Sequence, residues 1–388
     1  MSLSDQVLAA VRAALPASEG GVPLHEPEFR GQEWAYLKDC LDTGWVSSVG
    51  AYVDRIERDL EAITGAAHAV ATSNGTAALD ICLRLAGVKH GDEVLVPALT
   101  FVATANAVAY QGATPHFVDS EAATLGVDPV RLDAYLRETA RFEGGACINT
   151  RTGATIRALM VMHVFGHPCD LDGLAEVAAR WKLVLVEDAA EGLGSRWNGR
   201  HVGNVGLVSA LSFNGNKIVT TGGGGAILTN DAELGRRAKH LTTTARVPHK
   251  WSFIHDEVGW NYRMPNLNAA LGCAQLERLP DMMTRKAVLA RRYAEAFRDV
   301  EGARLLSARP GAEVNHWLSA LILDRPDMAT RDALLETLNA AGFMARPLWT
   351  LMHRLPMYAD CPRDALPVAE ALEASVINLP SSAKLADA

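Results

Sequence analysis

Three short segments carry residue types that could share one piece of chemistry. In Ser209-Ala210-Leu211-Ser212-Phe213-Asn214-Gly215-Asn216-Lys217 a lysine stands between an apolar run and the glycines Gly222 to Gly225. Most lysines are solvated at the surface, but one held in a tight glycine-rich turn can lie close against something flat or bulky. In Val184-Leu185-Val186-Glu187-Asp188-Ala189-Ala190-Glu191 an apolar run ends on acids. Open α/β sheets bind ligands at the carboxyl ends of their strands, where a buried acid needs a cation; on its own, Asp188 could equally cap the next turn. In Thr72-Ser73-Asn74-Gly75-Thr76-Ala77-Ala78, Gly75 admits a close ligand, Thr76 adds a hydroxyl, and the free N–H groups of a helix start favour an anion. Alone, that segment is also an ordinary strand-to-helix turn.

Together the three form a set that pyridoxal 5′-phosphate (PLP) requires. Its phosphate needs N–H and hydroxyl donors, its ring nitrogen needs a carboxylate, and its aldehyde needs a lysine for a Schiff base. The Gly75 segment is neither Gly-x-x-x-x-Gly-Lys-Ser/Thr nor Gly-x-Gly-x-x-Gly, so it is neither a P-loop nor a dinucleotide fingerprint.

These segments need a scaffold of alternating strands and helices. Strands are predicted at His68 to Ser73, Glu93 to Leu99, Pro115 to Val118, Ile156 to Val164, Leu183 to Val186, Leu207 to Phe213 and Gly225 to Leu228. Helices are predicted from Tyr52 to Ile63, Thr76 to Leu85, Val102 to Tyr110, Arg131 to Arg141, Leu171 to Trp181, and from the cap Asp231 to Leu241. Apolar runs buried on both faces and separated by helices mean a mostly parallel α/β sheet. Arg246 to Tyr262 reads as a long loop, Leu267 to Phe297 as one helix broken or bent near Pro280, and Trp317 to Leu323, Asp327 to Ala341 and Phe343 to Pro347 as a smaller α+β unit. Ser4 is expected to cap a helix ending at Leu15, with a linker at Pro16 to Gly21. The expected division is 1–30 extension and linker, 31–250 large domain and 251–388 small domain.

The net charge of −8 and pI near 5.9 argue against nonspecific nucleic-acid binding. The six cysteines form no Cys-x-x-Cys pair, which gives no metal site and suits a reducing compartment. No run is long and apolar enough to span a membrane, and Met1 to Gln6 lacks the start of a signal peptide; a cytoplasmic location is expected.

At this point the sequence resembles the DegT/DnrJ/EryC1/StrS family of PLP-dependent sugar-nucleotide aminotransferases, of PLP fold type I. The resemblance runs from about Pro23 to Pro380. It is carried by Asn74-Gly75-Thr76-Ala77-Ala78-Leu79, Pro97 to Thr104, Glu187-Asp188-Ala189-Ala190, Ser212 to Lys217, Gly222 to Ala226 and Gly259-Trp260-Asn261-Tyr262-Arg263-Met264. Within the family, Gly44 to Gly50 and Asn214 to Lys217 look most like enzymes of legionaminic-acid and other diamino-sugar pathways.

The resemblance implies that Lys217 forms the Schiff base and moves protons, and that Asp188 faces the ring nitrogen. It implies that Gly75, Thr76 and Ser212 hold the phosphate and that Phe101 stacks on the ring. Asn261 would reach the cofactor of a second subunit in a homodimer with shared active sites. Glu191 stands where many members have Gln or His near the ring hydroxyl, so it is protonated or turned elsewhere. A dehydrating branch of the family replaces the lysine with histidine; Lys217 is present, which favours transamination over dehydration and over a non-catalytic PLP-binding regulator. His163, Asn216 and His353 are candidates for the substrate side, although a hydrogen-bonded core histidine and a surface histidine are the plain alternatives for His163 and His353. His316-Trp317 is assigned to packing. The expected reaction takes nitrogen from glutamate to the C4 ketone of a nucleotide-linked, UDP-type 4-keto-6-deoxy-2-acetamido sugar. A GDP-perosamine-type or dTDP-sugar aminotransferase is the alternative. Arg246, His249, Lys250 and Arg346 are candidates for the nucleotide's rim.

Overall fold

The computed structural model describes residues 2–15 and 20–387; most of the expected Pro16 to Gly21 linker lies outside them. The strands of the main sheet are β1 (His68–Thr72), β2 (Glu93–Pro97), β3 (Thr114–Val118), β4 (Thr155–Met162), β5 (Val184–Asp188), β6 (Val208–Ser212) and β7 (Gly225–Thr229). Their spatial order is β1-β7-β6-β5-β4-β2-β3. From β6 to β3 every neighbouring pair is parallel, and β7 runs antiparallel to both β1 and β6. This is the mostly parallel α/β sheet expected of the sequence. Its central strands are apolar on both faces because helices cover both; Val94, Leu95 and Val96 are fully buried, as are Leu159, Met160 and Val161. A hairpin of Ala140–Glu143 and Ala146–Asn149 extends the sheet beside β4.

The helices are α1 (Leu3–Ala14), α2 (Glu33–Thr43), α3 (Ala51–Thr64), α4 (Gly75–Leu85), α5 (Val102–Tyr110), α6 (Pro129–Thr139), α7 (Leu171–Trp181), α8 (Ala232–Thr242), α9 (Asn266–Ala296), α10 (Met328–Ala340) and α11 (Pro367–Glu373). Ser2, not Ser4, caps α1: its hydroxyl accepts from the Asp5 N–H while the Asp5 carboxylate accepts from the Ser2 N–H. Asp231 caps α8 through the N–H groups of Glu233 and Leu234. Of the break or bend expected at Pro280, the break does not occur. α9 continues through it, with Leu279 and Met282 anchored in the large core across the missing N–H.

β8 (Ala303–Leu305), β9 (Ser319–Leu323), β10 (Arg346–Pro347) and β11 (Val376–Leu379) form a second sheet in the order β8-β9-β11-β10. α9 serves both cores. Its first half packs with the large cluster, while Leu289, Tyr293 and Phe297 join Val7, Val11, Leu321, Leu334 and Ile377 in a second one. Arg246 to Tyr262 is less irregular than its sequence suggests, since Arg246–Val247 pairs with Ile254–His255.

The chain between α1 and α2 is stitched to the second sheet's surroundings. The Val22 N–H donates to Gly342 O at 2.7 Å, the Ser381 N–H donates to Leu24 O at 2.7 Å, and the Glu26 N–H donates to Ser382 Oγ at 2.9 Å.

Candidate active site

The carboxyl ends of β5 and β6 and the start of α4 open on a cavity of about 320 Å³. Gly75, Thr76, Phe101, Asp188, Glu191, Ser212, Asn216 and Lys217 all line it, with Trp317 and Trp349 closing the far side. Segments far apart in sequence therefore meet where a parallel sheet places its ligands.

Asp188 is the last residue of β5 and is buried between two parallel neighbours. Thr104 Oγ1, on α5, donates to its Oδ2 at 2.7 Å, and the Ala190 N–H donates to Oδ1 at 3.1 Å. Burial still raises its pKa above the usual carboxylate range, and it has no ion pair among the described residues. It is an acid that a cation entering the cavity would satisfy. Lys217 extends from a turn closed by its own N–H to Asn214 O at 3.0 Å. Its Nζ lies 2.9 Å from Glu191 Oε1 and 4.1 Å from the centre of the Trp317 ring. Glu191 is buried, which raises its pKa although Lys217 opposes the rise. Its other oxygen accepts the Phe165 N–H at 2.8 Å, holding Phe165 at a positive φ of 56°.

At the start of α4, Asn74 Oδ1 caps the Ala77 N–H at 2.8 Å. The first N–H groups, those of Gly75 and Thr76, have no intrahelical partner and lie at the cavity wall. Gly75 is required here by space: a Cβ would stand 2.8 Å from Ser212 Cβ. Gly225 allows β7 to pass the same turn, since its Cβ would meet the Asn74 carbonyl carbon at 2.6 Å. Phe101, just before α5, is half exposed and meets Trp349 edge-on at 6.1 Å.

Other candidates stand elsewhere. His163 does not line the cavity: it is fully buried, with Nε2 3.0 Å from Glu187 Oε2 and Nδ1 accepting the Cys169 N–H at 3.2 Å. Burial works against its protonation, whereas Cys169 and Glu187 favour it. Its place is that of the hydrogen-bonded core histidine. His353 also misses the cavity and lines a separate surface cleft with Arg363 and Glu370; burial first, then Arg354 and Arg363, lowers its pKa. Asn261 is exposed, bridged to Thr243 and bonded by Arg263 Nε at 3.3 Å, outside the cavity of its own chain. Arg246 stacks on Phe253, Lys250 lies over Trp251, and Arg346 bonds the Ala345 carbonyl; none of them lines the cavity.

Trp317 was assigned to packing, yet it forms a cavity wall. β9 starts only at Ser319, so Trp317 lies ahead of the strand, and its indole N–H donates to Asn216 O at 2.7 Å. Trp349 and Met162 line the cavity without having been named as site residues, and Thr104, the last residue of the Pro97 to Thr104 motif, had no role assigned before its bond to Asp188 was seen.

An amine, a buried acid short of a cation, a helix start with free donors and an exposed aromatic face fit the parts of PLP in chemistry. With the α/β/α sheet they define a PLP-dependent aminotransferase of fold type I. The family model described as the DegT/DnrJ/EryC1/StrS aminotransferase family matches residues 27–388, and the chain belongs to that family. It is 37% identical over 366 residues to a GDP-perosamine synthase of Caulobacter vibrioides, covering 93% of each chain. It is 34% identical over 368 residues to the GDP-perosamine synthase of Escherichia coli O157:H7, covering 94% of each. Among solved structures, DesV of S. venezuelae, in complex with a ketimine intermediate, is similar with a TM-score of 0.80 and 31% identity, covering 91% of this chain and 90% of that one.

Proposed function

We propose that the enzyme moves the amino group of glutamate to the C4 ketone of a nucleotide-linked 4-keto-6-deoxy sugar, for surface glycan synthesis. The observation that carries this reading is the placement of Lys217, Asp188 and the α4 start around one cavity. In the proposal Gly75, Thr76 and Ser212 hold the cofactor phosphate, Phe101 covers one face of the ring, and Asp188 holds the proton on the ring nitrogen. When bound, PLP supplies an electron sink and carries nitrogen between donor and acceptor. Lys217 Nζ takes the proton from the α-carbon of glutamate and later delivers one to C4 of the sugar. Glu191, 2.9 Å away, shares the proton on Nζ and keeps the amine aimed while it is not bonded. Trp317 and Trp349 exclude water from that side, and Asn216 faces the substrate. Residues 31–250 and 251–388 act as large and small units, with α1 packed into the small one.

The nucleotide and the C2 substituent follow the relatives. Resemblance at Gly44 to Gly50 and Asn214 to Lys217 pointed to a UDP-linked acetamido sugar, whereas the GDP-perosamine synthases named above favour a GDP-linked sugar with a free C2 hydroxyl. We adopt the latter. The test is kcat/KM on both sugars with glutamate as donor, the products read by mass. The hydroxyl sugar is expected to win, by up to about 10⁴-fold if its C2 partners are buried; a preference for the acetamido sugar would restore the other reading.

The working unit is proposed to be a homodimer in which Asn261 serves the neighbouring site. Exposed Trp251, Phe253 and Val258 around that loop, with Trp34 and Trp45, supply apolar surface for it. In a heterodimer of Lys217→Ala and Asn261→Ala chains, sharing leaves one site with both groups and the other with neither. Two sites each lacking one group would place Asn261 within its own chain's site.

A further inference from the structure

We propose that a second cavity, behind the active site, binds a small apolar carboxylate that carries a neutral polar group at its far end. The second half of α9, β8 with the residues after it, and residues 316–320 enclose a space of about 430 Å³, within the range of small-molecule sites. It is separate from the cofactor cavity, although one segment serves both. His316 and Leu318 line this space, while Trp317 between them lines the other. The sequence makes the room. Ala287, Ala290 and Ala294 recur at steps of three and four, so they share one face of α9 with Arg291. The alanines leave a recess that longer side chains would fill, and Phe297 and Leu318 complete its apolar wall.

Polar groups without partners stand at two depths. His167, in the connection after β4, lines the cavity and is only 5% exposed. Its ring bonds no other group among the described residues. A buried polar group left unpaired is costly, and a hydroxyl or carbonyl on a ligand would satisfy it. Arg291 and Arg304 line the same cavity but are exposed, which places them at its mouth. Neither guanidinium has an ion pair or hydrogen bond among the described residues. Two such forks with no anion of their own match a carboxylate. The imidazoles add no charge. Burial first, then His316, lowers the His167 pKa to about 3. Burial first, then Lys286 and Arg291, lowers that of His316 to about 4. The inner end therefore takes a neutral hydrogen-bonding group and the outer end takes the negative charge.

The test is calorimetric titration of the PLP-loaded enzyme with 3-(4-hydroxyphenyl)propanoate. One molecule per chain is expected to bind, with a Kd below about 1 mM. The matching alcohol, which lacks the charge, should bind about tenfold more weakly, as should the acid on an enzyme carrying both Arg291→Gln and Arg304→Gln. That variant should turn over like the wild type. Removing the ring hydroxyl, as in 3-phenylpropanoate, should cost about fivefold, and on His167→Phe the two acids should bind alike. If His167→Phe does not fold, the two acids compared on the wild type decide the inner contact. Saturating glutamate or GDP should leave the binding unchanged. No binding, equal affinity for acid and alcohol or for the two acids on the wild type, undiminished affinity in the double arginine variant, or displacement by glutamate or GDP would overturn the proposal.

Discussion

The cavity has two walls built in different ways. One comes from strand ends and the helix start: Asp188 closes β5, Ser212 closes β6, and Gly75 and Thr76 open α4. Buried parallel strands fix these residues to the sheet, so their mutual positions follow from register alone. The other wall comes from connections: Trp317, ahead of β9, and Trp349. Bonds to backbone carbonyls hold it, Asn216 O and Trp317 O among them. The chemistry sits on the wall that cannot move, while aim and fit are set by the wall that small sequence changes can remodel.

The largest effect should fall on Lys217, which the turn after β6 carries to the rigid wall. Lys217→Ala is expected to reduce transamination by at least about 10³-fold with the fold intact, since covalent and proton-transfer steps both depend on the amine; single-turnover rates and circular dichroism check it. A smaller loss than in the connection-wall variants would break the contrast. Asp188→Asn comes next, at about 10²-fold in kcat, because an amide cannot hold a proton on the ring nitrogen. Wild-type turnover in that variant would make Asp188 a structural residue.

That same contrast decides what could be read from sequence. Each residue of the rigid wall sits in a contiguous segment where an apolar run ends in a polar residue, and periodicity locates such ends. Lys217 was legible from its place before the glycines Gly222 to Gly225, and Glu191 from the family resemblance, although the 2.9 Å contact between them was not. Trp317 and Trp349 lie where no period exists, and only long-range packing brings them in. Trp317 looked like a strand residue because an apolar run follows it. His163 misled for the opposite reason: it follows a strand that ends at the site, but its ring turns back to Glu187. Pro280 misled because local propensity lost to burial on both sides of it.

Trp317→Phe sharpens the comparison on the connection wall. It keeps an aromatic ring beside Lys217 but removes the N–H to Asn216 O, a loss of about 1 kcal/mol or roughly fivefold in kcat. Unchanged kcat would show that the indole acts by filling space alone. A separate effect is on stability. Burial lowers the Lys286 pKa from 10.5 to about 7, so between these values the unfolded chain binds more protons and stability rises with pH. In urea titrations from pH 7.5 to 9.5 the wild type should gain up to about 1.4 kcal/mol per pH unit relative to Lys286→Met. Parallel pH dependences would mean that Lys286 stays charged in the folded state.

Lys286 also frames the most direct test, because it is another lysine near the site, fully buried and with its pKa depressed by burial, close behind the cavity wall. The PLP-loaded enzyme is reduced with borohydride, digested and mapped by mass, with and without prior glutamate. The account predicts the cofactor's mass on the Lys217 peptide alone, and its disappearance when glutamate is added first. The mass on Lys286 or any other lysine, or labelling of Lys217 that glutamate does not prevent, would contradict it.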